Sequence, residues 1–90
     1  MNKKRYKKSE DLLTEALKSI PLGSQTFSKS LTQLPFGVSP FFVDRAEGAY
    51  FWDVDENKYI DLMCAYGPSI LGYNHPEVEE AVLSQISKGT

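Results

Sequence analysis

The single histidine and the single cysteine are the first residues to weigh as catalytic groups. His75 has the chemistry of a general acid or base, but it directly precedes Pro76, and proline is favoured at the first position of a helix. We therefore interpret His75 as the N-cap residue of a helix. Cys64 lies in the apolar stretch 62–65 and is predicted to be a small buried side chain rather than a nucleophile. The sequence thus assigns no catalytic residue.

Four carboxylates lie close together in the middle of the chain: Asp53, Asp55, Glu56 and Asp61. They alternate along a predicted hairpin and flank its turn, without the ligand spacing of a calcium-binding loop, so no metal site is predicted. Residues 67–72 (GPSILG) contain two glycines but follow neither common phosphate-loop pattern. Their residue types suit a close approach of the backbone to a ligand or another chain. These motifs alone favour a small α+β unit with surplus apolar surface.

Composition limits the chain to one small domain of 90 residues. Its hydrophobic fraction of 41% and charged fraction of 24% are typical of globular proteins. Five tyrosines, five phenylalanines and one tryptophan are many for this length, so part of their surface is predicted to face a partner or further polypeptide. A net charge of −2 predicts neither nucleic-acid nor membrane binding. The lone cysteine and the lack of a secretory or membrane-spanning pattern indicate a cytoplasmic protein.

The first forty residues divide into a basic terminus and a helix followed by a loop. Residues 1–8 carry five positive charges and are predicted to be a flexible terminus, with a phosphate-binding or nucleic-acid-binding arm as the alternative. Ser9 is the predicted N-cap of a helix that ends at Pro21 and Gly23. The rest of region 9–40 is predicted to be a long loop. The apolar stripe of the helix comprises Leu12, Leu13, Ala16, Leu17 and Ile20.

Region 41–90 begins with a predicted three-stranded antiparallel meander. Its strands are predicted at residues 41–45, 49–54 and 58–62, with turns at 47–48 and 55–57. Alternation places Tyr50, Trp52 and Val54 on one face of the middle strand, and Phe51 and Asp53 on the other. Neither face is polar throughout, so the sheet is predicted to pack on both sides.

An irregular connection, 63–74, leads to a second predicted helix. This helix begins at Pro76, carries negative charge in its first turns and runs to about Ser87, where Gly89 favours its end. Its predicted buried stripe comprises Val78, Ala81, Val82 and Ile86. The predicted order is N-terminal helix, long loop, antiparallel meander and C-terminal helix, which is an α+β arrangement.

Four ordered pieces of the sequence resemble one enzyme family. Residues 21–24 (PLGS) are similar to its Pro-Gly-Gly opening, and 48–55 (GAYFWDVD) followed by 59–61 (YID) form its most specific string. The Gly-Pro pair at 67–68, Gly72 and 75–78 (HPEV) complete the pattern in order. Over roughly residues 13–90, the chain resembles the N-terminal segment of class III pyridoxal-phosphate-dependent aminotransferases, and most of all the glutamate-1-semialdehyde aminomutases and related aminotransferases.

The resemblance implies the N-terminal fragment of a homodimeric fold type I transferase. In that family pyridoxal phosphate forms a Schiff base with a lysine, its phosphate lies at a helix N-terminus and an aspartate pairs with its pyridine nitrogen. These elements belong to a large domain that this sequence does not match. The resemblance therefore assigns no cofactor-binding residue, and we expect the chain alone to be inactive and to lack covalently bound cofactor. The implied partners are the large domain, a second subunit and a small amino or keto substrate.

Two positions take a substrate-binding role from the resemblance. Lys29 replaces an arginine that helps to hold the substrate carboxylate, and Tyr66 replaces a tryptophan before the Gly-Pro pair. Lysine keeps the charge but lacks the bidentate fork of arginine, which changes carboxylate recognition. A related aminotransferase for a sugar or surface-polysaccharide precursor is therefore one alternative to an aminomutase. A stand-alone, non-enzymatic interaction domain is the other.

Overall fold

Two helices and three antiparallel strands follow one another in the order that the sequence predicts. The computed structural model describes residues 5–89. Helix α1 spans Lys7–Ala16, and helix α2 spans Pro76–Ile86. Between them, strands β1, β2 and β3 span Val43–Glu47, Tyr50–Asp53 and Lys58–Ile60. The predicted α+β arrangement is confirmed, and neither helix is long and apolar enough to cross a membrane within this range.

The sheet has the order β1-β2-β3, with both neighbouring pairs antiparallel. A register shift between Val43 and Arg45 accompanies the displacement of β1, which starts and ends two residues later than the predicted 41–45. β2 is shorter than the predicted 49–54 because Ala49 belongs to the turn before it and Val54 to the turn after it. β3 stops before the predicted residue 62 because the carboxylate of Asp61 accepts the backbone N–H of Met63 at 2.9 Å and turns the chain.

The two faces of the meander carry different aromatic contacts. On one face the rings of Phe51 and Tyr59 stack with centroids 4.9 Å apart. On the other face Tyr50 lies beside Trp52, and the guanidinium carbon of Arg45 lies 3.7 Å from the Trp52 ring centroid. The predicted separation of Tyr50 and Trp52 from Phe51 is confirmed.

Helix α1 begins earlier than predicted, and its cap comes from a distant part of the chain. The sequence predicts the N-cap at Ser9, but Tyr6 occupies that position and the helix begins at Lys7. Ser9 is fully buried, and its Oγ accepts the backbone N–H of Phe41 at 2.9 Å. The carboxylate of Asp55 accepts the backbone N–H groups of residues 8 and 9 at 2.8 and 2.9 Å. The predicted N-cap was wrong because this long-range carboxylate satisfies the donors that a local cap would otherwise satisfy.

Helix α1 is also shorter and less buried than its apolar stripe suggests. It ends at Ala16 rather than continuing to Pro21, and within that stripe only Leu13 is buried. Single 3-10 turns at Pro21–Gly23 and Phe27–Lys29 are the regular elements of the loop that follows. Residues 1–4 of the predicted flexible terminus lie outside the described residues, whereas residues 7 and 8 form the first turn of α1.

Helix α2 begins where predicted, but its predicted buried stripe is exposed. His75 is its N-cap residue and Ser87 its C-cap residue. Val78, Val82 and Ile86 of the predicted buried stripe are all exposed. The prediction of burial was wrong because, within residues 5–89, no strand or helix packs extensively against α2.

Candidate substrate-binding site

Lys29 and Tyr66, the two residues predicted to bind substrate, lie next to each other. Lys29 ends the turn Phe27–Lys29, and Tyr66 ends another single turn, Cys64–Tyr66. The Nζ atom of Lys29 lies 5.8 Å from the centroid of the Tyr66 ring. This distance is within the range of a cation–π contact. The fold therefore joins two loop segments that are far apart in sequence.

A buried hydroxyl group fixes the turn that carries Lys29. Ser30 is 1% exposed, and its Oγ donates to the carbonyl oxygen of Phe27 at 2.7 Å. Oγ of Ser30 also lies 2.6 Å from Oγ1 of Thr32. These contacts close the turn directly after Lys29, whose own side chain is half-buried.

A strained segment presents Tyr66. Cys64, Ala65 and Tyr66 have φ angles of 48°, 50° and 64°, in the left-handed region that non-glycine residues seldom adopt. Such backbone persists only where the surrounding contacts determine it, and it is common at functional sites. The Tyr66 ring is left 62% exposed.

The carboxylate of Asp61 holds the start of this strained segment. It accepts the backbone N–H of Cys64 at 3.1 Å and the hydroxyl of Tyr73 at 2.7 Å. The hydrogen bond from Tyr73 lowers the pKa of Asp61, and the same bond raises the pKa of Tyr73. Asp61 is therefore ionised and Tyr73 neutral at physiological pH, which suits a structural support rather than a proton-transfer pair.

The sequence gives little sign of these supporting residues. Asp61 is visible in it only as one of four clustered carboxylates, and its partner Tyr73 lies in an irregular connection with no pattern that joins the two. The one available signal is that Asp61 lies two or three positions before a turn, where an Asp side chain often accepts nearby backbone N–H groups. Ser30 gives a similar local signal, because Ser hydroxyl groups also bond to nearby backbone groups in turns.

Neither His75 nor Cys64 joins the pair formed by Lys29 and Tyr66. Cys64 is half-buried, and its Sγ lies 3.9 Å from the carbonyl oxygen of Asp61. His75 occupies the N-cap position of α2, but its side chain makes no capping hydrogen bond. Its Nδ1 atom is buried and, among the described residues, has no hydrogen-bond partner.

The residues between 5 and 89 do not fit a pyridoxal phosphate site. A Schiff-base lysine is typically held in a desolvated pocket or beside another cation, whereas the lysines of this range are exposed except for the half-buried Lys29. Lys7 pairs with Asp11, and Lys18 pairs with Glu15. The same range contains no cluster of side chains suited to a metal ion. What the site offers is one cation beside an exposed aromatic ring.

Comparisons with known proteins agree with the fold and with the motifs. The Aminotransferase class-III family profile matches residues 34–90. The glutamate-1-semialdehyde 2,1-aminomutase of Heliobacterium modesticaldum is 45% identical over 85 residues, which are 94% of this chain and 19% of that protein. Glutamate-1-semialdehyde 2,1-aminomutase 1 of Lachnoclostridium phytofermentans is 45% identical over 82 residues, which are 91% of this chain and 19% of that protein.

A solved structure gives the same result. The FumI protein of Sphingopyxis sp. MTA144, in its PLP internal aldimine form, superposes with a TM-score of 0.78 at 43% identity, over 92% of this chain and 20% of FumI. The chain thus spans about a fifth of the length of the proteins that it matches. Since the family profile covers more than half of its residues, the chain belongs to the class III aminotransferase family.

Proposed function

We propose that the chain is the N-terminal segment of a pyridoxal-phosphate-dependent aminotransferase or aminomutase, and that it contributes Lys29 and Tyr66 to the substrate entrance. The observation that carries this proposal is the distance of 5.8 Å between Nζ of Lys29 and the ring centroid of Tyr66. An ammonium group held beside an exposed ring suits recognition of a substrate carboxylate or phosphate. The names of the two aminomutases and the cofactor form of FumI support an amino-group substrate.

The proposed role of these residues is binding and orientation. Lys29 donates a charge-assisted hydrogen bond to the substrate anion, and Tyr66 bounds the entrance and limits the positions that the ammonium group can take. Pyridoxal phosphate supplies the electron sink for chemistry at the amino-bearing carbon. Because the described residues do not fit that cofactor, the remaining polypeptide of the enzyme would hold it, and the isolated chain is inactive.

The assembly proposed for the whole enzyme is a cytoplasmic homodimer. The missing large domain is the first partner of this segment, and the second subunit of the homodimer is the other. The difference in length supports the first partner, because the chain covers 19% of the relatives that it matches at 45% identity.

Kinetics of the full-length enzyme test the role of Lys29. Lys29→Ala removes a charge-assisted hydrogen bond of about 1.5–3 kcal/mol, so kcat/KM should fall roughly ten- to a hundredfold, mainly through a higher KM. Lys18→Ala is the matched control, because Lys18 is an exposed lysine paired with Glu15. His75→Asn should leave turnover nearly intact. If kcat/KM of the Lys29→Ala enzyme is unchanged and a folded His75→Asn enzyme loses turnover, the two roles are reversed.

A second candidate is an aminotransferase for a sugar or surface-polysaccharide precursor. The presence of lysine at position 29 favours it, since a point charge imposes less geometry on an anionic substrate than the fork of arginine. The two candidates are separated by comparing turnover of glutamate-1-semialdehyde with turnover of phosphorylated and nucleotide-linked keto sugars. A preference for the semialdehyde that survives Lys29→Arg supports the aminomutase.

A further inference from the structure

An open apolar groove lies along helix α2. It has a volume of about 620 Å³, and one wall is formed by the connection that contains Pro68, Ile70 and Leu71. The opposite wall is the face of α2 that carries Val78, Val82 and Leu83. Val82 is 50% exposed and Leu83 67% exposed. Adjacent exposed apolar side chains of this kind mark a surface that another polypeptide covers.

His75 adds a polar requirement to this groove. Its side chain lines the groove at the start of α2. Its Nδ1 atom is buried but has no hydrogen-bond partner within residues 5–89. Buried polar atoms in native structures are nearly always paired. An occupant that supplies an N–H or O–H group here would complete the site.

The sheet surface around Trp52 differs from this groove. Cations of the chain lie beside its rings, with Arg45 over Trp52 at 3.7 Å and Lys58 over Tyr50 at 4.0 Å. Among residues 5–89, no cation lies over an aromatic ring of the groove, whose walls are aliphatic. Of the two surfaces, the groove is therefore the one whose composition requires an apolar occupant.

We propose that this groove is the docking surface for the remaining polypeptide of the class III enzyme. An apolar segment of that polypeptide packs on Val82 and Leu83, and a donor from the same polypeptide binds Nδ1 of His75. This inference rests on the proposed function, because the aminotransferase relatives are about five times longer than the part that this chain matches. That additional polypeptide is the occupant.

A full-length chimera tests the docking surface directly. The 85 matching residues of the Heliobacterium modesticaldum aminomutase are replaced by this chain, and backbone amide exchange in α2 is compared with that of the free chain. Docking should slow the exchange of α2 amides by about a hundredfold in the chimera. Equal exchange in the two proteins would overturn the proposal.

Substitutions distinguish docking from a general effect of the chimera. Leu83→Asp should lower the melting temperature of the chimera by roughly 5 °C or more and leave that of the free chain almost unchanged. Ser84→Asp, which adds the same charge outside the groove, is the matched control. His75→Phe should lower the melting temperature of the chimera, where a donor loses its acceptor, but not that of the free chain. Equal effects of Leu83→Asp and Ser84→Asp would contradict docking.

Two outcomes separate this proposal from the substrate role of Lys29 and from self-association of the chain. If exchange in α2 slows in the chimera but Lys29→Ala leaves its kinetics unchanged, the docking surface stands and the substrate role of Lys29 fails. If α2 of the free chain becomes protected as its concentration rises, and sedimentation shows a dimer that Leu83→Asp abolishes, a second copy occupies the groove and the proposal is overturned.

Discussion

The two ends of the molecule are stabilised in different ways. At one end, the turn between β2 and β3 is joined to the start of α1 by hydrogen bonds. At the other end, α2 extends from the sheet with its apolar face exposed. Within residues 5–89, the one buried side-chain polar atom that lacks a hydrogen-bond partner, Nδ1 of His75, lies at the second end. The chain thus combines a self-contained unit with a surface that needs a partner.

The self-contained end centres on Asp53, which is 1% exposed. Its carboxylate accepts the backbone N–H groups of Asp55 and Asn57 at 3.0 and 2.8 Å. It also accepts the Tyr59 hydroxyl at 2.9 Å. With the turn fixed in this way, Asn57 donates to the carbonyl oxygen of Arg5 at 3.0 Å. A buried carboxylate with several donors can therefore organise a connection that hydrophobic burial alone would not specify.

Removal of the Asp53 carboxylate should have the largest effect on stability. Asp53→Ala leaves two backbone N–H groups and a tyrosine hydroxyl without their acceptor, so we expect the free energy of unfolding to fall by about 3 kcal/mol. Urea denaturation measures this loss. The control is Asp44→Ala, which changes an exposed aspartate of β1. Similar losses in both variants would show that the network is not what holds this end together.

Removal of the Asp55 carboxylate should have a smaller and more local effect. Asp55→Ala removes the cap of α1 and should cost about 1 kcal/mol of stability, with faster amide exchange at residues 8 and 9. Glu56→Ala is a matched control, because Glu56 lies in the same turn and is exposed. Unchanged exchange at residues 8 and 9 in the Asp55 variant would mean that the cap does not stabilise α1.

Alkaline pH should weaken both ends through their tyrosines. Burial raises the pKa of Tyr59, with further contributions from hydrogen bonds to Tyr6 and Asp53. The hydrogen bond to Asp61 raises the pKa of Tyr73. A phenol whose pKa is higher in the folded state stabilises it fully below the ordinary tyrosine value of about 10, and this contribution is lost as the pH rises through the folded-state pKa.

A pH series on variants separates the two tyrosines. The melting temperature should fall as the pH rises above about 10, and Tyr73→Phe should reduce the part of this fall that arises from the α2 end. Asp61 behaves in the opposite direction, because its lowered pKa gives stability that is present above its ordinary pKa and lost as the pH falls through the folded value. A Tyr73→Phe profile identical to that of the parent would exclude this coupling.

The two ends also differ in how far their features can be predicted from the sequence. The strands, the start of α2 at Pro76 and the separation of Phe51 from Trp52 follow from local rules of alternation and proline placement. The cap of α1 does not, because Asp55 meets residues 8 and 9 only after the chain has folded. The burial of α2 fails for another reason, since an apolar stripe shows that a helix needs a partner but not where the partner lies.

In the candidate site, too, the residues can be predicted from the sequence but their contact cannot. The resemblance to a known family singles out Lys29 and Tyr66 separately, and their contact emerges only from the fold. The left-handed backbone at residues 64–66 cannot be read from Cys, Ala and Tyr, because none of these residue types favours positive φ. The hydrogen bonds that Asp61 accepts from Cys64 and from the more distant Tyr73 support this segment.

Residue-resolved hydrogen exchange of the free chain at low concentration tests the difference between the two ends most directly. We expect the amides of β2 and of the first turn of α1 to exchange slowly and to lose this protection in Asp53→Ala. The amides of α2 beyond its first turn should exchange fast, because few buried apolar contacts hold this helix. Protection of α2 equal to that of β2 in the monomer would contradict the claim that one end is self-contained and the other needs a partner.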